Sequence, residues 1–409
     1  VTRALEYDVA IVGGGPAGAS LALHLVRREG VSARRIVVLD KARFPRDKPC
    51  AGAVSKLGLD VLARVGVEVG VPSVAPSGVR VLSGDGLGES AGDLGVVVRR
   101  VELDAHLLEA ARRDGVHVID GDGVRAIERS EGRAGFVLTG ASGTTLSARF
   151  IAAADGSGST TRKLLRIAEP ARKGHLYVLE TGLGGADVGV KRQLLDFDLC
   201  VLDDGVEGYY WDFPTVIGGE LQVSRGIYHA NLSRSDAAPG EPLKDVLARA
   251  LAKRGVEVAS VKLRPFSTRP FVPRSTAWVR GVVLVGEACG IDRTTGEGIA
   301  QSIEMGRIAA EHLARATRTG SDLFHGYERA ARVDDGQAPA AERRDGGVRV
   351  PPARASRAAL SRALGLREGG EHALVPRRSA PSDDTAAPRP GARRHRPRPM
   401  SRRLRRRRP

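Results

Sequence analysis

Tyr7-Asp8-Val9-Ala10-Ile11-Val12 runs directly into Gly13-Gly14-Gly15-Pro16-Ala17-Gly18, and the reading of this stretch decides the fold. The first six residues have the pattern of a short buried strand. The glycines follow as a tight turn, and Leu21, Leu25 and Val26 place an apolar side on the helix that comes next. A second strand, Arg35 to Leu39, ends in Asp40, 22 residues beyond Gly18. Strand, G-x-G-x-x-G turn, helix, strand and terminal carboxylate stand in the order of a βαβ dinucleotide-binding unit. In that unit Gly13 permits the turn, Gly15 lets a pyrophosphate approach the backbone, and Gly18 permits close helix–strand packing. The helix N-terminus faces the anion, and Asp40 accepts from ribose hydroxyls. This pattern alone does not separate FAD from NAD.

Working outward, three further blocks favour FAD. Val96-Val97-Val98-Arg99-Arg100 leads into a helix with apolar Leu103, Leu107, Leu108 and Ala111. The strand pattern Phe150 to Ala154 ends in Asp155-Gly156-Ser157-Gly158-Ser159. Near the end of the body, Val282 to Val285 runs into Gly286-Glu287-Ala288-Cys289-Gly290 and then Thr294-Thr295-Gly296-Glu297-Gly298-Ile299, with a helix predicted from about Ile299 to Leu313. A second glycine-rich helix start of this kind presents backbone amides to a flavin ring or its ribityl chain.

Together these blocks resemble the geranylgeranyl reductase family of FAD-dependent oxidoreductases, within the aromatic-hydroxylase-type flavoprotein fold. The resemblance spans about residues 5–333 and rests on Phe44-Pro45-Arg46-Asp47-Lys48-Pro49-Cys50-Ala51-Gly52, Tyr209-Tyr210-Trp211-Asp212-Phe213-Pro214, and Gly286 to Ile299. It implies FAD contacts from Gly13, Gly15, Gly18, Asp40, Lys48, Arg100, Asp155, Gly156, Gly286, Glu287, Gly296, Gly298 and Ile299. Substrate contacts are implied for Tyr209, Trp211, Phe213 and Pro214, and a catalytic role for Cys50, whose thiol would supply or relay a proton near the flavin. The implied reaction saturates carbon–carbon double bonds of a prenyl or isoprenoid lipid, with the flavin carrying hydride. The chain departs from the family pattern in Glu287, where Asp is usual, and in Ala51-Gly52, where two glycines are usual. It also departs after about residue 333, where the family continues with helices. A flavin monooxygenase or halogenase shares the fold. A halogenase is expected to show Trp-x-Trp-x-Ile-Pro, and this chain has Tyr209 and Phe213 at the corresponding places. No second G-x-G-x-x-G is present, so NAD(P)H and ferredoxin both stay open as electron donor.

The implied architecture is α/β, with a Rossmann-type FAD-binding domain, an inserted strand-rich substrate domain and a C-terminal tail. Its expected segments are 1–173 and 276–335 for the FAD-binding domain, 174–275 for the substrate domain and 336–409 for the tail. Alternation over Gly205 to Phe213 and Leu221 to Tyr228 supports the strands, with Pro214 and Gly218-Gly219 marking the turn. Five of the chain's sixteen aromatic residues (Tyr209, Tyr210, Trp211, Phe213, Tyr228) fall in this short stretch, as core or as the wall of an apolar site. Cys50 read by itself is a single thiol of the kind that most often packs as a small buried hydrophobe, and only its place beside Lys48 in the family's flavin loop points to chemistry.

Composition bounds the rest. The net charge of +16 belongs mostly to residues 336–409, which hold 20 Arg and 6 acidic residues, so the body carries a net charge of only +2. The tail has no Lys, Ile, Phe, Tyr, Trp, Cys or Asn and contains 10 of the 22 prolines, a composition expected to stay disordered. It is also the composition of a GC-rich gene read out of frame. Its final arginine run suits peripheral contact with anionic lipid; nucleic acid is not the expected partner of so neutral a body. Three widely spaced cysteines exclude a disulfide scaffold, and isolated histidines give no metal spacing. With no signal-peptide pattern and no long apolar run, the expected location is cytoplasmic. The expected substrate is an apolar small molecule or prenyl lipid.

Overall fold

Strand β1 (Leu5–Val12) is buried along Val9 to Val12 because parallel neighbours flank it on both edges and helices cover its faces. The computed structural model describes residues 5–84, 86–130, 135–168, 173–231, 241–272, 275–291 and 296–331. The basic tail and Thr294-Thr295 lie outside them. On one side β1 pairs in parallel with β2 (Ile36–Asp40), which pairs with β8 (His117–Asp120). On the other it pairs with β11 (Thr145–Ala153), which pairs with β18 (Val282–Leu284). Antiparallel β17 (Trp278–Val279) closes one edge, and β9 (Val124–Arg129) and β10 (Phe136–Gly140) extend β11. The first unit is therefore built from segments as distant in sequence as residues 5 and 284.

Helix α1 (Pro16–Arg27) lies on this sheet and against the long α7 (Ile299–Thr319). Their approach depends on Gly306, where a Cβ would stand 2.6 Å from the Ala17 carbonyl oxygen. The Ser20 hydroxyl donates to the Ile303 carbonyl at 2.7 Å across the same interface. Helix α3 (Arg100–Arg113) covers the other side of α1, and α7 stops at Gly320, which takes the left-handed conformation (φ 76°) that ends a helix without Cβ strain.

The second sheet has the order β16-β12-β15-β14-β13-β5-β6. Its strands are β12 (Gly174–Thr181), β13 (Leu194–Asp198), β14 (Gly208–Ile217), β15 (Glu220–His229) and β16 (Arg264–Thr268), joined by β5 (Gly78–Ser83) and β6 (Gly86–Ala91) from earlier in the chain. A three-stranded sheet of β3 (Ala53–Ser55), β7 (Gly95–Val98) and β4 (Ser73–Val74) completes the described strands. The expected turn is Gly218-Gly219 alone, both glycines having positive φ, as a tight hairpin between right-twisted strands requires. Pro214 lies inside β14. It is tolerated because β13 pairs with β14 only as far as Asp212, leaving that edge open where the missing N–H falls.

The period of two along β14 separates two environments. Tyr209, Trp211 and Phe213 enter an apolar cluster with Phe197, Tyr228, Val178 and Val97. On the reverse face, the Tyr210 hydroxyl donates to Asp212 at 2.7 Å. The Arg225 guanidinium donates to both Asp212 and Asp187, and Arg254 to Asp212 and Asp198. Such a buried network holds only because nearly every charge in it has a partner.

Candidate active site

The glycine turn is shaped by contacts that only glycine permits. Gly13 has φ 112°, and a Cβ there would stand 2.3 Å from the Ala154 carbonyl oxygen; one on Gly18 would stand 1.9 Å from the Gly13 oxygen. Gly15 is different, because the space above it is bounded by charge rather than backbone. Its Cβ would meet Arg46 Nη2 at 3.2 Å, Arg100 Nη2 at 3.8 Å and Asp104 Oδ2 at 4.0 Å. Asp104 is fully buried and pairs with both guanidiniums, at 2.9 Å to Arg46 and 2.7 Å to Arg100. Two cations share one carboxylate at the positive end of α1, a cradle whose charge and backbone clearance fit a dinucleotide pyrophosphate. Burial works against the Arg100 charge, but Asp104, with Cys50 and Glu287 adding to it, holds the guanidinium protonated above its ordinary range.

The Asp40 carboxylate stands at the end of β2, half-buried, and accepts from the Gly14 N–H at 2.8 Å and the Ala42 N–H at 2.8 Å. It therefore fixes the glycine turn, and each oxygen keeps a lone pair for a further donor. Asp155 is also engaged locally: it accepts from Ser159 Oγ at 2.6 Å and from the Thr161 N–H at 2.8 Å, capping α4 (Thr160–Leu164). Gly156 next to it has φ 80°, and its Cβ position lies 3.8 Å from Glu287 Oε2.

Glu287 is buried and receives Lys48 Nζ at 2.5 Å; the longer side chain, in place of the usual Asp, spans that distance. The ammonium also sits over the Phe266 ring of β16, 4.7 Å from its centroid. Gly286 brings this loop onto α1, its Cβ position being 2.9 Å from Ala17 Cβ. Cys50 is half-buried and lines a cleft with Lys48, Arg99, Arg100, Glu180 and Arg264. Cys289, by contrast, is buried, and burial pushes its thiol up to about 12.

Gly296, Gly298 and Ile299 open α7. A Cβ on Gly296 would stand 2.7 Å from the Tyr209 hydroxyl oxygen and 3.6 Å from Tyr228, so the second sheet meets this loop through two tyrosines. Gly298 clears the Ile291 side chain, and Ile299 is buried in the main core. Phe197 packs edge-to-face on Tyr209 and on Phe213, 5.1 Å to each ring centroid. Trp211 packs over Gly226, its partner residue across β14 and β15, and among the described residues its buried indole Nε1 has no hydrogen-bond partner. Pro214 is buried in the same strand.

The structure thus gathers the glycine turn, Asp40 and Arg100 in one group, and Lys48, Cys50, Gly156 and Glu287 in a second. Gly296 and the aromatic face form a third, and Arg100 joins the first two groups. Sequence reasoning missed Arg46 and Asp104 at the turn, and Glu180, Thr215, Ser224 and Arg264 around the cleft. Arg46 and Asp104 stand inside stretches already singled out, but nothing in their spacing shows that they meet. The four cleft residues come from four strands and carry no local signal. Among the described residues no group of three or more His, Cys, Asp or Glu could hold a metal ion, and no helix is long and apolar enough to cross a membrane.

Residues 6–335 match the family described as FAD binding domain. The chain is 28% identical over 329 residues to the menaquinone reductase of Mycobacterium tuberculosis, covering 75% of this chain and 76% of the relative. It is 27% identical over 356 residues to the digeranylgeranylglycerophospholipid reductase of Methanothrix thermoacetophila, covering 81% and 85%. Among solved structures, a geranylgeranyl bacteriochlorophyll reductase-like protein from Thermoplasma acidophilum superposes with a TM-score of 0.63 at 23% identity, over 80% of this chain and 82% of the other.

Proposed function

The chain belongs to the FAD binding domain family, and from that premise we propose that this FAD-dependent oxidoreductase reduces carbon–carbon double bonds of a prenyl or isoprenoid lipid. The observation that carries the proposal is the meeting of Tyr209 and Tyr228 with Gly296, which sets a continuous aromatic face against the loop opening α7. Of the relatives, the digeranylgeranylglycerophospholipid reductase supports this substrate class by its name, and the menaquinone reductase supports a reductase activity only.

FAD, when bound, supplies the hydride chemistry that an isolated alkene requires. The protein supplies the rest. Arg46 and Arg100 balance the charge of a pyrophosphate above Gly15, and Gly13, Gly18 and Asp40 hold the turn open for it. Lys48, Asp155, Gly156, Gly286, Glu287, Gly296, Gly298 and Ile299 complete the cofactor side of this assignment. Tyr209, Trp211, Phe213 and Pro214 belong to the substrate side, where an apolar surface excludes water and orients the chain. Cys50 holds the proton destined for the second alkene carbon. The same proposal takes residues 1–173 and 276–335 as the cofactor domain and 174–275 as the substrate domain, to which β5 and β6 add a hairpin.

The test is single-turnover oxidation of the dithionite-reduced holoenzyme by a prenyl substrate, with mass spectrometry of the product. A mass gain of two hydrogens per bond supports the reading. Oxygen or halogen incorporation would instead assign a monooxygenase or halogenase. Cys50→Ser is expected to keep FAD and lose prenyl reduction by at least about tenfold, since a positioned acid contributes ~10²–10⁴-fold and a hydroxyl is a far weaker acid than a thiol. Turnover of that variant at the wild-type rate would make the thiol a packing group.

A further inference from the structure

We propose that a second small-molecule site lies towards the opposite end of the first sheet from the glycine turn, and that it takes a small aromatic carboxylate with Arg129 and Arg149 as its cationic arms. Nothing in it depends on which bond the flavin site reduces. The pocket has a volume of about 130 Å³ and lies between the end of β9, the start of β10, the middle of β11 and the loop that follows α7. Ala154, whose carbonyl closes on Gly13, comes five residues after Arg149 in the chain, roughly 15 Å at the rise of a strand. Likewise, Gly281 in the lining precedes β18, whereas Gly286 of the cofactor loop follows it. The pocket is therefore separate from the flavin cradle. Gly135, Gly281 and Gly320 put backbone rather than side chains at its surface, beside the rings of Phe136 and Phe150.

Each guanidinium lies over a phenyl ring, Arg129 over Phe136 at 4.9 Å and Arg149 over Phe150 at 5.3 Å to the centroid. Stacking of this kind steadies the guanidinium and leaves its N–H edge for an acceptor. Among the described residues Arg129 forms no ion pair, and it donates only from Nη2, to the Arg280 carbonyl at 3.0 Å. Arg149 uses only Nη1, divided at 3.2 Å between Asp8 and the Thr317 carbonyl. Asp8 is held more closely by Arg35, at 2.9 Å. Asp322, the one carboxylate in the lining, has both oxygens on Arg280 at 2.9 and 3.1 Å. Two arginines with spare donors and no close carboxylate of their own thus line one small cavity. A ligand carboxylate accepts from them in forked geometry and brings the negative charge they lack. The glycine backbone and phenyl rings suit a flat, weakly polar body, and a cavity of about this volume holds a single ring.

Benzoate and benzyl alcohol, which share a ring and differ in charge, are titrated onto the FAD-loaded protein by calorimetry. Benzoate is expected to bind saturably and at least about tenfold more tightly than the alcohol, as charge-assisted hydrogen bonds to arginine require. Its binding should leave the flavin absorbance unshifted. R129Q should weaken benzoate by at least about tenfold while keeping Tm and flavin content, because this side chain holds no ion pair to lose. R149Q, which also gives up the contact with Asp8, should weaken benzoate in the same direction. Absence of saturable binding, equal affinity for the acid and the alcohol, or unchanged benzoate affinity in R129Q overturns the proposal. A benzoate-induced flavin shift that persists in R129Q places the ligand at the flavin and overturns it as well.

Discussion

At Gly15 a methyl group has somewhere to go, but a branched side chain does not, because Arg46 and Arg100 stand 3.2 and 3.8 Å from the Cβ position. Gly15→Val is therefore expected to fold and to lose FAD, since it fills the cradle without striking backbone. The ratio of flavin absorbance to protein after purification reads the outcome, and full flavin retention would mean that the pyrophosphate lies elsewhere. The thiols offer a second contrast between single residues. Cys289 is buried and its thiol is pushed up to about 12, so at pH 8 it presents almost no thiolate, while Cys50 is half-buried at a cleft. Alkylation of the native protein with iodoacetamide, followed by peptide mass spectrometry, should label Cys50 well before Cys289. Labelling of both at similar rates would show that the glycine-rich loop at Gly286 to Gly290 opens readily.

The hairpin of β14 and β15 shows what elements contribute that single residues do not. Trp211 occupies the room that Gly226 leaves across the strand pair. A Cβ there would stand 2.5 Å from the indole and 2.1 Å from the Tyr177 carbonyl oxygen in β12. Gly226→Ala cannot be relieved by ring movement alone, because one of its clashes is with backbone. It is expected to cost about 1–3 kcal/mol and to lower Tm. A shift in the emission of a chain with only two tryptophans, Trp211 and Trp278, would report the displaced indole. Elements with a strong period were legible from sequence. The residues read as β1, α1 and β2 form those elements, and α7 begins at the expected Ile299, running on to Thr319 because its last turns still bury Leu313, Ala314 and Ala316. The hairpin of β5 and β6 was not legible. Gly86 to Ala91 is glycine-rich and largely exposed, and its place in the second sheet is fixed by the parallel pairing of β5 with β13, more than a hundred residues away. Cleft residues such as Glu180 and Arg264 escaped for the same reason: their meeting is a product of strand order, not of local pattern.

Across the whole molecule, burial sets opposing responses to acid. His24 lies in the interface of α1 and α7, and burial lowers its pKa; burial lowers that of His229 as well. In the unfolded chain these rings bind protons from about pH 6.5 downward while the folded protein resists, so their stabilisation is complete above that pH and is lost as the pH falls. Asp196 works the other way. Burial, against the pull of Arg80, raises its carboxyl to about 6, so the folded state binds the proton first and gains stability as the pH falls through 6 towards 4. Thermal midpoints measured from pH 7.5 to 5.5 should therefore fall less steeply for His24→Gln than for the wild type; an unchanged slope would place the ring's titration outside this range. Sequence distance has a further consequence, for synthesis on the ribosome. Strand β1 takes one neighbour from β11, and α1 packs on a helix that begins at Ile299. At ~5–20 residues per second the nascent first strand and helix wait roughly 15–60 s for that partner, exposing an apolar sheet face meanwhile. A chain with this topology depends on chaperone cover during translation more than its modest size suggests.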